Sequence, residues 1–204
     1  MNARYVLCYS ACNRVAFIKD RNINMLWLGT FAGLRAVKNL PRLVRAFATM
    51  PEPWHLVIAG DGPERAAILA EAERCHVADR VHLTGFIADP ASLIGLFDLY
   101  ALSSDSEQAP ISVIEAMAAG LAVASPAVGD VAAMVGEDNQ RYVTAPGDEA
   151  ALAASLRDLA EAPRLRQAIG MENRAKARAQ FDEATMVSRH AALYARVMGR
   201  ERFP

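Results

Sequence analysis

The 204-residue chain contains no apolar run long enough for a secretory leader or a membrane span, because residues 5–8 are too short and polar residues follow them. It also lacks an excess of either charge. With 22 Lys and Arg against 23 Asp and Glu, the formal net charge is −1, so no global field draws nucleic acid or an acidic membrane surface. Cysteine is scarce: Cys8, Cys12 and Cys75 cannot brace a domain of this size, and no pair has zinc-site spacing. The four histidines, His55, His76, His82 and His190, form no close cluster in sequence and read as surface or packing residues, so no metal is expected. These absences point to a cytoplasmic protein with no nucleic-acid partner. Basic residues do gather between Arg157 and Arg202, but interspersed acids make them solvated helix faces, leaving at most peripheral contact with the inner membrane.

What the chain does have is 53% hydrophobic residues, enough for a sizeable core. From Asn24 onward, short apolar runs alternate with longer amphipathic stretches. Residues 25–29, 55–60, 81–84, 99–102, 121–124 and 141–144 are predicted strands, mostly buried. Between them Leu43, Phe47 and Met50 fall on one helical face, as do Leu152, Leu156 and Leu159. Pro63 and Pro110 suit first helical turns, and Gly120 suits a helix C-terminus. Strand and helix in repeated alternation predict an α/β fold, a Rossmann-like parallel sheet with helices on both faces. After Gly147 only helices follow, at about 148–161, 164–179 and 182–198, and these should pack on the sheet's flank. The expected division is an unassigned segment 1–22, in which residues 4–10 could add an edge strand, and one domain over 23–204.

Ligands of such a sheet bind outside the carboxyl ends of its strands, so the turns there are the places to search. The segment from Ser103 to Gly120 carries Glu107 in a loop and Glu115 inside the next helix, the only charge between Gln108 and Gly129. A carboxylate in an apolar helix needs a partner. Glu115 either accepts hydrogen bonds from two ribose hydroxyls or lies at the helix's solvent edge. The helix beginning near Ala109 offers the Ile111 and Ser112 amides to a phosphate. Across the crevice, the loop Gly29-Thr30-Phe31-Ala32-Gly33-Leu34-Arg35-Ala36-Val37-Lys38 permits close backbone approach at its glycines. Arg35 and Lys38 are either diphosphate cations or exposed loop cations. Gly60-Asp61-Gly62 lacks the third glycine of a dinucleotide fingerprint, so a tight turn explains it better than an NAD site. The backbone at Phe86 and Ile87 could meet a base edge, although a buried Phe is the default.

Taken in order, Lys38-Asn39, Gly60-Asp61-Gly62-Pro63, Gly85-Phe86, the pair Glu107 and Glu115, Ala118-Ala119-Gly120 and Pro146-Gly147-Asp148 resemble the C-terminal domain of retaining GT-B glycosyltransferases, the glycosyl transferases group 1. The resemblance covers residues 25–197. It implies a nucleoside-diphosphate sugar as substrate, a hydroxyl acceptor, no separate cofactor, and half of a two-domain enzyme. It places Lys38 on the diphosphate and Glu107 beside the donor sugar as catalytic residues, with Glu115 on the ribose. Gly29, Thr30, Gly33, Arg35, Gly60, Gly62, Phe86, Ile87, Ala109, Ile111 and Ser112 complete the expected donor site. Two departures stand out: Gly33 occupies the position of the family's second cation, an arginine, and Gln108-Ala109-Pro110 replaces the common Gly-aromatic-Gly. The chain is then a fragment, the product of a misplaced gene start, or a stand-alone domain whose acceptor-binding N-terminal half could come from another chain; the alternative function is a non-catalytic nucleotide-sugar-binding or interaction module.

Overall fold

In the computed structural model, described over residues 25–200 and the backbone of two earlier strands, eight strands and eight α-helices follow in order. The two early strands are β1 (Val6–Tyr9) and β2 (Val15–Ile18). Next come β3 (Leu26–Phe31), α1 (Leu40–Phe47), β4 (Trp54–Ala59), α2 (Arg65–Arg74), β5 (Val81–Gly85) and α3 (Ala91–Ile94). The second half runs β6 (Leu99–Ala101), α4 (Ile111–Ala118), β7 (Val123–Pro126), α5 (Val131–Met134) and β8 (Val143–Thr144). Three helices close the chain: α6 (Glu149–Glu161), α7 (Pro163–Gln180) and α8 (Glu183–Val197).

The six later strands form one parallel sheet in the order β5-β4-β3-β6-β7-β8. From β3 the chain winds one way through β4 and β5, then returns to the other side of β3 through β6. The reversal leaves a crevice above the carboxyl ends of β3 and β6. The strand expected near the N-terminus is β1, but it pairs antiparallel with β2 in a separate sheet and extends no edge of the main one. A neighbour only a few residues away offers antiparallel partners with little loop-closure entropy.

The sheet is buried on both faces, which is why its strands are apolar without alternation. Leu56 and Ile58 of β4 meet α1, α2 and α6 on one face, where Leu43, Phe47, Leu152, Leu156 and Leu159 are fully or almost fully buried. Val57 and Ala59 point to the other face, with Phe97, Tyr100, Val113 and Met117. The last helices flank the sheet as expected: α6 packs on α1, and α7 packs on α4. Ala195 is the only buried residue of α8.

Several strand boundaries differ from the sequence reading; β8, for one, starts only at Val143, behind the short turn Gln140–Tyr142. β3 continues to Phe31 because Thr30 and Phe31 keep pairing with Ile58 and Ala59. β7 starts later than expected because Gly120, at φ +81°, caps α4, while the Leu121 amide donates back to the Ala116 carbonyl at 3.0 Å. The histidines are not all isolated. His55 Nδ1 and His82 Nε2 lie 3.0 Å apart on adjacent strands, with the Trp27 ring packed against both. Burial pushes the His82 imidazole down to about 4 and lowers that of His55 as well.

Candidate functional site

The loop after β3 is built on the loop after β4. Ala32 and Leu34 amides donate to the Ala59 and Asp61 carbonyls at 3.1 and 2.9 Å, and the Glu64 amide donates to Leu34 at 3.0 Å. This ladder accounts for the two glycines of the Gly60-Asp61-Gly62 turn. A Cβ on Gly60 would lie 1.8 Å from the Ala32 oxygen, and one on Gly62 would lie 2.6 Å from the Leu34 oxygen. The Cβ positions of both glycines are thus taken up by the neighbouring loop's backbone. The Asp61 carboxylate closes the turn by accepting the Gly62 amide at 2.8 Å.

From this platform the chain passes through a short turn at Ala36–Lys38, then Asn39 in a left-handed conformation, and enters α1. Lys38 is thereby aimed across the switch point at the loop following β6. A clasp joins the two loops. The Asp105 amide donates to Val37 at 2.8 Å, and the Ser103 hydroxyl donates to the Lys38 carbonyl at 2.8 Å. The Arg42 guanidinium lies 2.6 Å from the Asp105 carboxylate, which also accepts the Asn39 side-chain amide at 3.1 Å. Held this way, Lys38 Nζ meets Glu107 Oε1 at 2.5 Å, with both side chains largely buried. The Ser104 hydroxyl donates to the same oxygen at 2.7 Å. Glu107 Oε1 is thus held by two side-chain donors, Lys38 and Ser104.

Lys38 and residues 107–112 line one open cleft of about 500 Å³. The cleft thus brings together Lys38, Glu107, Ala109, Ile111 and Ser112 from the expected set, at the N-terminus of α4. Gly129 buttresses its floor from behind: its φ is +53°, and a Cβ there would lie 2.0 Å from the Gln108 oxygen. Glu115 sits one turn further along α4, on the same face as Ser112. It is half-buried, and burial raises its carboxyl above the ordinary range.

The remaining expected residues lie elsewhere. Gly29 and Thr30 belong to β3, not to a loop. Both are buried, and a Cβ on Gly29 would run into the Phe97 ring. Beneath the crevice the hydroxyl of the fully buried Tyr100 accepts the Phe31 amide at 3.2 Å. Gly33 and Arg35 are exposed on the loop, and Arg35 folds back so that its Nε lies 3.7 Å from where a residue-33 Cβ would be. Phe86 is 79% exposed at the end of β5, overturning the buried default, while Ile87 is half-buried against the second core.

Sequence reasoning missed the Asp105–Arg42–Asn39 clasp, Gly129 and Tyr100. Only Tyr100 carried a signal, since a phenol inside an otherwise aliphatic buried strand needs a polar partner. Among the described residues, no group of three or more His, Cys, Asp or Glu could hold a metal ion, and no helix is long and apolar enough to cross a membrane.

A doubly wound sheet with a cation, a paired carboxylate and a helix N-terminus gathered at its switch point defines a Rossmann-like ligand-binding domain. The chain belongs to the glycosyl transferases group 1 family, whose model matches residues 25–176. It is 28% identical over 165 residues to the N-acetyl-alpha-D-glucosaminyl L-malate synthase of Bacillus anthracis, covering 80% of this chain and 43% of the synthase. HepE of Anabaena, solved in complex with UDP, superposes with a TM-score of 0.79 at 25% identity, over 84% of this chain and 49% of HepE. The isolated C-terminal domain of LpcC, a group 1 family protein from Francisella tularensis, shares the fold at 20% identity and a TM-score of 0.69, with 87% of that domain covered. The chain therefore spans about half the length of these two relatives, 43% of the synthase and 49% of HepE.

Proposed function

We propose that this chain is the donor-binding half of a retaining glycosyltransferase. It holds a nucleoside-diphosphate sugar at the β3/β6 switch point for transfer to a hydroxyl acceptor, and turnover needs an N-terminal Rossmann-like domain. The observation that carries this reading is the approach of Lys38 to Glu107, at 2.5 Å, from turns 69 residues apart and beside the α4 N-terminus. Lys38 and the Ile111 and Ser112 amides hold the diphosphate and offset the charge that builds on it as the sugar departs. Glu107 lies beside the donor sugar, Glu115 accepts from ribose hydroxyls, and the backbone at Phe86 and Ile87 meets the base. Arg35, folded over Gly33, supplies the second cation from two residues further along.

The HepE complex with UDP supports the ligand class, and coverage of about half that chain supports the need for a second domain. The donor is a substrate, and the reading includes no separate cofactor. It includes a cytoplasmic setting with at most peripheral contact at the inner membrane.

The reading is tested by titrating the chain with UDP, GDP, ADP and NAD in a calorimeter. One nucleoside diphosphate should bind, and NAD should not. Tight NAD binding with none of the three diphosphates bound would end the proposal. A second reading, a non-catalytic nucleotide-sugar-binding or interaction module, is favoured by glycine at position 33. It predicts donor binding without sugar transfer even when a matching N-terminal domain is supplied.

A further inference from the structure

Arg42 and Asp105 take no part in the donor contacts proposed above, yet they join the two turns that make them. Arg42 lies in the first turn of α1, just past Lys38, and Asp105 lies in the loop after β6, just before Glu107. The guanidinium spans that loop: Nη2 lies 2.6 Å from Asp105 Oδ1, and Nη1 donates to the Ser103 carbonyl at 3.3 Å. The Asn39 side-chain amide reaches both oxygens of the same carboxylate, at 3.3 and 3.1 Å. Bonds in the other direction close the join. The Asp105 amide donates to the Val37 carbonyl and the Ser103 hydroxyl to the Lys38 carbonyl, each at 2.8 Å. Lys38 and Glu107 thus both leave the backbone beside fixed points.

We propose that Arg42 and Asp105 are positioning residues for the diphosphate site: their ion pair locks the turn after β3 onto the loop after β6, so that the Lys38 ammonium stands in the cleft before a donor arrives. The inference rests on the donor-site reading above. A lysine is a point charge on a flexible four-carbon stem, so its attraction for an anion depends on where its backbone is held. Ordering it during binding subtracts from affinity, whereas ordering it during folding does not. Arginine suits the task because its planar fork meets a carboxylate and a carbonyl at once. A direct role for the Arg42 cation on the diphosphate fits the geometry less well: the guanidinium is turned to Asp105 and Ser103, whereas Lys38 and residues 107–112 line the cleft. The two roles give Asp105 opposite signs. Removing its carboxylate unlocks Lys38 in the first and releases a cation to the ligand in the second.

The test titrates the full chain as wild type, Arg42→Met, Asp105→Ala, Lys38→Met and the Arg42→Met/Lys38→Met double variant. Each is titrated with whichever of UDP, GDP and ADP the wild type binds and with the matching nucleoside, alongside thermal unfolding. Arg42→Met and Asp105→Ala should each lose roughly three- to tenfold in diphosphate affinity, part of what a charge-assisted hydrogen bond contributes, with nucleoside affinity unchanged. In the Lys38→Met background the Arg42→Met loss should vanish, because there is no ammonium left to place. Glu149→Gln controls for lost stability. Glu149 holds Arg45, on the next turn of α1, through both oxygens at 2.7 Å, and its variant should unfold at lower temperature without moving either affinity. If Arg42→Met fails to fold, Asp105→Ala takes its place in the cycle, since the Asp105 side chain is 47% exposed. A gain in diphosphate affinity for Asp105→Ala would make Arg42 a direct cation and overturn the inference. So would a loss that persists without Lys38, equal losses for diphosphate and nucleoside, or no loss in a folded variant. A wild type that binds no nucleoside diphosphate overturns the donor-site reading, and this inference with it.

Discussion

The Lys38–Glu107 contact can be examined with a double-mutant cycle. Two unit charges at the observed 2.5 Å attract by roughly 6–7 kcal/mol if the effective dielectric constant is about 20. The side chains are only 17% and 12% exposed, so each ion has also given up much of its hydration. That penalty burdens each ion separately and cancels from the cycle, which reports the pair interaction alone, about 1.5–7 kcal/mol for close charge pairs. Urea unfolding of wild type, Lys38→Met, Glu107→Gln and the double variant should return this coupling. Binding carries the sharper consequence. The ammonium that pairs with Glu107 is the one assigned to the diphosphate, so the two anions compete for it. Glu107→Gln should therefore raise affinity for the bare nucleoside diphosphate, by roughly three- to thirtyfold, while Lys38→Met lowers it. The gain should be smaller for the nucleotide sugar, which loses its contact with Glu107. A coupling below about 0.5 kcal/mol, or a Glu107→Gln variant that binds the diphosphate more weakly than wild type, would refute the shared-cation argument.

Glu115→Ala should weaken nucleoside-diphosphate binding by ~1–3 kcal/mol, and unchanged affinity by calorimetry would remove Glu115 from the site. Because burial raises its carboxyl, the folded state holds the proton more tightly than the unfolded chain, so this group favours folding in acid and opposes it as pH rises. Glu115→Gln should accordingly be more stable than wild type at pH 7, with the difference gone below about pH 4. His82 has the opposite sign. Its imidazole falls from 6.5 to about 4 on folding, so stability present above pH 6.5 is lost progressively as pH falls through that interval. His82→Gln should flatten this acid limb in urea titrations, and an unchanged limb would assign the loss to other groups. At Gly33 a Cβ meets only Arg35 Nε, at an ordinary 3.7 Å, so Gly33→Arg fits without strain. It should tighten diphosphate binding about tenfold if this position faces the diphosphate, and a null result would place the phosphates elsewhere.

The sheet was legible in the sequence because parallel strands buried on both faces leave unbroken apolar runs, and Leu56–Val57–Ile58 fills both cores at once. Its ends were less legible because they depend on pairing. Thr30 looks like loop by composition, yet it continues β3 because Ile58 stands opposite it. The same limit governs the site. The switch-point rule picks out the turns after β3 and β6, so Lys38 and Glu107 could be expected to converge from their places in the strand order. Arg42 and Asp105 follow no period and match no motif; they become partners only when two loops of particular length face each other. The His55–His82 contact likewise exists only in one register, in which Val57 pairs with His82. Gly60 exposes a deeper ambiguity. A glycine beside a ligand and a glycine beside another loop's carbonyl are the same letter, since both positions exclude a Cβ. Only the 1.8 Å approach to Ala32 separates the two. Sequence motifs of the G-x-G kind therefore mark where backbone must come close, and the identity of what comes close has to be read from the fold.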